Sequence, residues 1–597
     1  SSPCGAQSPS STRLSLAMQD DGGSIMSDRE VSEMNFKRVR GVPVIFALVF
    51  LGTAVTGSAA EPSAAEIDAV FADYDSTTSP GCSLGVVRDG ELIYSRGYGM
   101  ANLEYGIALS PRSVFRTASV GKQFTAMAIA VLHQQGKLSL DDPLSQYFPE
   151  FPAWADEVRI RHLVHHTSGI RDYLTLAWLA GKGDEEYYTD EYVLDLLAAQ
   201  HNLNFAPGDQ HLYSNSGYLL LAHTVKRVTG SSLREWAEEN MFGVLGMKSS
   251  HFHDDHTHIV PFRADGYAPT EDGFSISMTI LDMVGDGGVY TTVEDFLLWD
   301  RNFYQNKLGG GGGELIRLVT TPGQLNHDEE MTYAFGLDVG EYRGLRLISH
   351  GGSFVGFRTD TIRFPEQRFS VAVYCNRADA NPGRRSRKVA ELYLADVMEP
   401  ADDLETEPME KSEEAAIPAE SLEALSGHYW DEKERSVWEV TFSDGRLELV
   451  MSNELRFEMV PLAADRFAVE TPWFNAEAAF TADADGELKM AFRADGAEEP
   501  DLFERFVPRE PSPKELEAYS GTFFSDELGV SYAVAAEEGS LVFKIVRHES
   551  HQLEPLFDEV FSTDDYGTFE FTRGSDGVVD GFTLDAGRVR NLEFERR

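Results

Sequence analysis

Leu422-Glu423-Ala424-Leu425-Ser426-Gly427 returns as Leu516-Glu517-Ala518-Tyr519-Ser520-Gly521, and the offset of 94 (516 − 422) then persists. Gly445 matches Gly539, Pro461-Leu462 matches Pro555-Leu556, and Phe467 matches Phe561. Both copies end alike, as Phe503-Glu504-Arg505 and Phe594-Glu595-Arg596, where the offset has fallen to 91 (594 − 503). One register kept over so many positions means two copies of one structural unit. Within each copy apolar and polar residues alternate between turn signals, as in Val437-Trp438-Glu439-Val440-Thr441-Phe442 ahead of Ser443-Asp444-Gly445. Period-2 alternation over units of about 90 residues predicts two small antiparallel barrels or sandwiches, at 421–508 and 509–597. A filled core is the default for such a unit, although a barrel of this size can hold a small ligand.

Ahead of the repeat the pattern differs. Two apolar runs between Cys82 and Tyr98 flank Arg88-Asp89-Gly90 and read as a β-hairpin. Helical spacing follows from Gly121 to Gln135, stopped by Gly136, and again around Glu191–Gln200, Tyr218–Val228, Leu233–Met241 and Val293–Phe303. Strand-like runs return between Tyr333 and Asn376, for example Phe369-Ser370-Val371-Ala372-Val373-Tyr374. Strands at both ends enclosing helices predict a mixed α/β body at 61–398, its sheet assembled from the two ends of the segment. Phe296 and Trp299 fall at helical spacing and belong in its core. Gly309–Gly313 is a surface loop, and without a neighbouring P-loop lysine it is no phosphate cradle. An acidic linker at 399–420, from Glu399-Pro400-Ala401-Asp402 to Ala419-Glu420, joins body to repeats.

The formal net charge is −47, which opposes binding to phosphate backbones and anionic lipid, so nucleic acid is not expected as a partner. Met34 is followed by Lys37, Arg38 and Arg40, an apolar run from Val42 to about Val55, then Gly57-Ser58-Ala59-Ala60. Basic, apolar and small residues in that order are what a secretory signal peptide requires. The expectation is a signal at 34–60, cleaved after Ala60, an untranslated or removed leader at 1–33, and a periplasmic or extracellular product without a later membrane span. Cys82 and Cys375 each sit beside a strand-like run. An oxidising compartment would permit a disulfide between them, but two separate buried thiols are expected.

The chemistry begins at Ser119-Val120-Gly121-Lys122. A serine where a helix starts has its N–H at the positive end of the helix, and a lysine three residues on shares its face one turn away. The hydroxyl then has a base within reach, provided desolvation and a nearby cation keep the amine largely neutral. Tyr213-Ser214-Asn215 lies in a polar stretch after Pro207-Gly208-Asp209. A phenol whose pKa is lowered by cations can relay a proton to a leaving group, and an amide can hold the substrate's own amide. His350-Gly351-Gly352 leads into Ser353, whose backbone N–H is assigned as oxyanion donor beside that of Ser119. Its glycines let a substrate lie against the strand edge.

In this order the three groups resemble the serine β-lactamase and penicillin-binding family, most closely its class C, D-aminopeptidase and esterase branch. Leu163-Val164-His165-His166-Thr167-Ser168-Gly169 and Gly285-Asp286-Gly287-Gly288-Val289-Tyr290-Thr291-Thr292, followed by Asp295, are similar to further segments of that family. The resemblance covers roughly Ile67 to Asp396 and implies an α/β body with an all-helical lobe and a cleft between them. It implies Ser119 as acylated nucleophile, Lys122 and Tyr213 as acid/base partners, and Asn215, His350, Gly351, Gly352 and Ser353 as substrate-binding residues. No cofactor or metal is implied. His350 stands where β-lactamases usually carry lysine, and a partly charged histidine anchors a carboxylate less firmly. The expected function is therefore a peptidase or amidase of D-aminopeptidase or D-Ala-D-Ala carboxypeptidase type. An esterase of small acyl esters, a weak β-lactamase and a non-catalytic penicillin-binding envelope protein are the alternatives. The substrate is a small molecule or peptide, and the oligomeric state is open.

His165 and His166 are read as holding a loop through backbone hydrogen bonds. His251, His253, His256 and His258, interleaved with Asp254 and Asp255, are read as a solvated loop rather than a metal site.

Overall fold

The computed structural model describes residues 61–597, apart from 184–185, 328–330, 401–416, 453–454, 472–474, 484–485, 495–499, 546–549 and 564. The expected leader, the signal peptide and most of the acidic linker fall outside the described residues.

Cys82–Arg88 and Glu91–Tyr98 form the hairpin, and Asp89 and Gly90 both take positive φ in its two-residue turn. They join Asp338–Tyr342, Leu345–Phe354, Phe357–Phe364 and Phe369–Cys375 in a six-stranded sheet. Cys82–Arg88 lies between Glu91–Tyr98 and Phe369–Cys375, antiparallel to both, so early and late segments of the body close the sheet on each other. The pleat sorts the side chains. Leu84, Val86, Val371 and Val373 pack with Val389 and Leu394 of the helix Pro382–Leu394. Val87, Ala372 and Tyr374 join the core that contains Phe296 and Trp299 of the helix Val293–Gln305.

The expectation of two free thiols is overturned. Cys82 and Cys375 are register partners with Cα atoms 4.0 Å apart, and a disulfide joins them. They are 293 positions apart in sequence, so spacing could not reveal a pairing created by strand order.

Helices occupy Lys122–Gln134, Asp190–Ala198, Asn215–Thr229, Leu233–Ala237 and Val293–Gln305. The stretch expected to run on to Met241 instead widens after Ala237 into a π-helical turn, Glu238–Phe242. There the N–H of Gly243 donates to Glu238 O, an approach that leaves no room for a Cβ at 243. The histidine cluster also differs from expectation. His251–Phe252 is a short strand, and His253 is buried with its ring 4.4 Å from that of Tyr290. No group of three or more His, Cys, Asp or Glu among the described residues could hold a metal ion, and no helix there is long and apolar enough to cross a membrane.

The fold class is the expected one, an α/β body followed by two closed eight-stranded antiparallel barrels, from Gly427–Asp431 to Asp501–Phe506 and from Gly521–Ser525 to Val589–Arg596. The repeated residues have identifiable roles. Asp444-Gly445 and Glu538-Gly539 take positive φ in equivalent tight turns, and Phe467 and Phe561 are buried in the barrel interiors. Each barrel closes by pairing its first strand with its last. At those seams Arg505 donates to Ser426 O and Arg596 to Ser520 O, and a Cβ at Gly427 or Gly521 would meet the same guanidinium groups, which accounts for the repeated Gly and Arg.

The second barrel packs on the body. Tyr532 donates through its hydroxyl to Leu179 O at 2.7 Å, and Trp178 stacks on Tyr566 at 5.5 Å.

Candidate active site

A 3-10 turn, Ala118–Gly121, carries Ser119 into the helix Lys122–Gln134. Ala118 has φ +47, a strained value for a residue with a side chain, so its surroundings must impose it. Gly352 supplies part of that constraint. A Cβ there would lie 2.4 Å from Thr117 O and 3.2 Å from Ser119 N, while Thr359 Oγ1 donates to Thr117 O at 2.8 Å. Gly352 is thus required for seating the serine loop on the strand Leu345–Phe354, whereas a Cβ at Gly351 would make only ordinary contacts, 3.9 Å from Thr359 O and 4.0 Å from Asp360 Oδ1.

Lys122 is fully buried, and its Nζ donates to Ser119 Oγ at 3.2 Å, Asn215 Oδ1 at 2.8 Å and Asp286 O at 2.6 Å. Burial pushes its pKa down to about 7, opposed by the charge of Asp286 and assisted by that of Arg588. Near neutral pH a substantial fraction of this amine is uncharged and able to take a proton from Ser119.

Tyr213 stands over Lys122, with Nζ 4.7 Å from the ring centroid, and packs against His166 at 4.1 Å. Among the described residues its buried hydroxyl has no hydrogen bond of normal geometry, but it lies close enough to Ser119 for that hydroxyl to favour the phenolate. The expected lowering of its pKa is overturned. Burial drives it far above the ordinary phenol range, and Ser119 and Arg588 offset that only in part. Tyr213 is therefore a protonated donor at rest.

Asn215 begins the helix Asn215–Thr229, and its N–H donates to Asp172 Oδ2 at 2.6 Å. Asp172 also caps the helix Tyr173–Leu179 through Thr175 N. Tyr173 donates to Asp286 Oδ2 at 3.0 Å. Burial raises the Asp286 carboxyl, an effect reduced by Lys122. Sequence reasoning gave no role to Asp172, Tyr173 or Asp286. A carboxylate inside the glycine run at 285–288 was the available signal for the last.

His350 lines the cavity, but both ring nitrogens are engaged, one with Tyr333 Oη at 3.0 Å and the other with Gly351 O at 2.6 Å. Burial and the charge of Lys122 lower its pKa to about 4, so it is neutral and not the partial cation expected. His165 and His166 hold loops by backbone contacts, the first with Tyr333 O and the second accepting Ser214 N. The cavity, about 530 Å³, brings together Ser119, Tyr213, Asn215, His350, Gly351, Gly352 and Ser353, with Lys122 buried behind Ser119. Arg588 of the second barrel also lines it, a residue that sequence reasoning did not single out.

A buried lysine on a helix-tip serine, faced by a tyrosine and an asparagine from a second loop of an α/β body, defines the penicillin-recognising serine hydrolases. Residues 67–396 match the Beta-lactamase family, and with more than half its length matched the chain belongs to that family. It is 28% identical over 430 residues to penicillin-binding protein 4* of Bacillus subtilis, covering 69% of this chain and 92% of that protein. It is 29% identical over 304 residues to a D-aminopeptidase of Gluconobacter oxydans, covering 50% of this chain and 56% of the relative. An octameric penicillin-binding protein homologue from Pyrococcus abyssi shares the fold, with a TM-score of 0.53 and 22% identity over 74% of this chain and 100% of that one.

Proposed function

We propose that this chain is a serine hydrolase that acts through an acyl-enzyme on Ser119, as a peptidase or amidase for small substrates containing D-residues. The observation that carries this reading is the 3.2 Å contact between Ser119 Oγ and a lysine whose pKa is held near 7. Lys122 takes the hydroxyl proton as Oγ attacks the carbonyl carbon, and the N–H groups of Ser119 and Ser353 receive the oxyanion. Tyr213 gives its proton to the leaving nitrogen, Asn215 holds the substrate amide, and water then releases the acyl group. Relatives named D-aminopeptidase and penicillin-binding protein support this substrate class. The neutral, fully engaged His350 argues against strong β-lactamase activity, because the substrate carboxylate loses a cationic anchor at that position. The basic, apolar and small segments at 34–60, with the Cys82–Cys375 disulfide, support export to an oxidising compartment.

Release of p-nitroaniline from D-alanine p-nitroanilide tests the reading. It requires cleavage by the wild type and none by Ser119→Ala. Turnover of p-nitrophenyl butyrate with no cleavage of any D-residue anilide or peptide would make the protein an esterase instead.

A further inference from the structure

The cavity is completed by a residue from the far end of the chain. Val579–Ala586 and Val589–Arg596 form a hairpin whose two-residue turn is Gly587-Arg588, with Ala586 paired to Val589. Gly587 takes φ +58, which a turn this tight requires at that position. The body holds the turn in place through its main chain. Asp172 N donates to Arg588 O at 3.2 Å, Asn204 Nδ2 donates to the same oxygen at 2.9 Å, and Arg590 N donates to Asn204 Oδ1 at 2.8 Å. The Arg588 guanidinium carbon then lies 4.9 Å from the Tyr213 ring centroid. Among the described residues that guanidinium has no hydrogen bond or ion pair, and it is exposed to the cleft.

Such a cation, fixed by its backbone and unpaired in front of the proton donor, is suited to an anion. Three further arginines line the cavity, alongside Asp286, Asp338 and Asp360, so its lining does not share the strong acidity of a chain whose net charge is −47. Arg358 and Arg387 are engaged with main-chain carbonyls, and Arg116 is buried beside the Phe354 ring. Arg588 is the one that faces incoming substrate, while His350 lacks the charge to serve as anchor.

We propose that Arg588 is a specificity-determining residue that binds the free carboxylate on the leaving-group side of the substrate, which makes short peptides ending in a D-residue the preferred class. This rests on the serine-hydrolase reading and narrows it. Ser119 Oγ bonds to the carbonyl carbon as the C–N bond breaks, and the leaving nitrogen takes its proton from Tyr213. The departing amino acid carries its carboxylate two bonds from that nitrogen, within reach of a guanidinium stacked over the same phenol. Water then adds its oxygen to the acyl carbon and gives a proton to the Tyr213 phenolate. Lys122 returns the proton it took to Ser119 Oγ as the ester bond breaks, yielding the second acid.

The test uses the full chain with N-acetyl-D-alanyl-D-alanine and its C-terminal carboxamide. Binding is measured by calorimetry to Ser119→Ala and to the same variant carrying Arg588→Gln, and turnover is measured on the wild type, Arg588→Gln and Arg588→Lys. The acid should bind Ser119→Ala at least about tenfold more tightly than the amide, the size of one charge-assisted contact, and Arg588→Gln should remove most of that ratio while Arg588→Lys keeps part of it. In turnover the loss should fall mainly on KM for the acid. An acid-to-amide ratio that Arg588→Gln leaves unchanged, or an absence of preference for the acid in Ser119→Ala, overturns the proposal. Arg588-dependent binding of the acid without hydrolysis of either peptide would sustain it and refute the hydrolase reading.

Discussion

Arg171 and Glu527 form a 2.8 Å ion pair between the hydrolase body and the second barrel, with side chains 0% and 2% exposed. The pair is fully supplied with partners. Arg171 also donates to Gln200 Oε1, Arg590 O and Asn591 O, and Glu527 accepts the N–H of His201 at 2.6 Å. Because Arg590 and Asn591 follow the turn at Gly587-Arg588, this contact fixes the position of Arg588 in the cleft.

Removing one partner of such a pair leaves a buried charge uncompensated, which costs about 3–5 kcal/mol. Glu527→Ala should therefore lower stability by that amount in denaturant unfolding. A change below about 1 kcal/mol for Glu527→Ala would show that the junction does not depend on this pair.

The pKa of Lys122 predicts the pH dependence of acylation. With the amine lowered to about 7 by burial, kcat/KM for a neutral ester should rise through about pH 7 and level off above it as Lys122 loses its proton. The positive charge of Arg588 helps to hold that pKa down, so Arg588→Gln should move the rising limb to higher pH. A limb that stays in place, or moves to lower pH, contradicts the assignment.

Asp338 lines the same cavity, and burial pushes its carboxyl up to about 6. A carboxyl raised on folding favours the protonated state, so its contribution is most favourable below the unfolded value of about 4 and is lost as pH rises through about 6. Asp338→Asn should thus stabilise the protein at pH 8 by about 1–2 kcal/mol, allowing for partial exposure, and by nothing measurable at pH 4. Thermal unfolding at the two values checks this, and equal effects at both would refute it.

Local patterns made much of the architecture legible. Alternation and a constant offset disclosed both barrels, because the turns at Asp444-Gly445 and Glu538-Gly539 and the core residues Phe467 and Phe561 perform one task twice. Strand-like runs at either end of the body disclosed a sheet closed by its own termini. Ser119 and Lys122 were readable as one helix turn, and Tyr213 and Asn215 as a short loop motif. What the sequence concealed depends on long-range placement. The Cys82–Cys375 bond follows from strand order, the neutrality of His350 from Tyr333 and burial, and the high pKa of Tyr213 from desolvation that outweighs nearby cations. Arg588 belongs to a segment readable only as barrel, and its place beside Tyr213 is set by contacts of its main chain with Asp172 and Asn204.

Intact mass after exposure to a fluorophosphonate tests the central claim most directly. The wild type should gain one covalent adduct that maps to Ser119, faster at pH 8 than at pH 6 as Lys122 becomes neutral, and Ser119→Ala should gain none. An unlabelled wild type, or equal labelling of Ser119→Ala, would contradict the account.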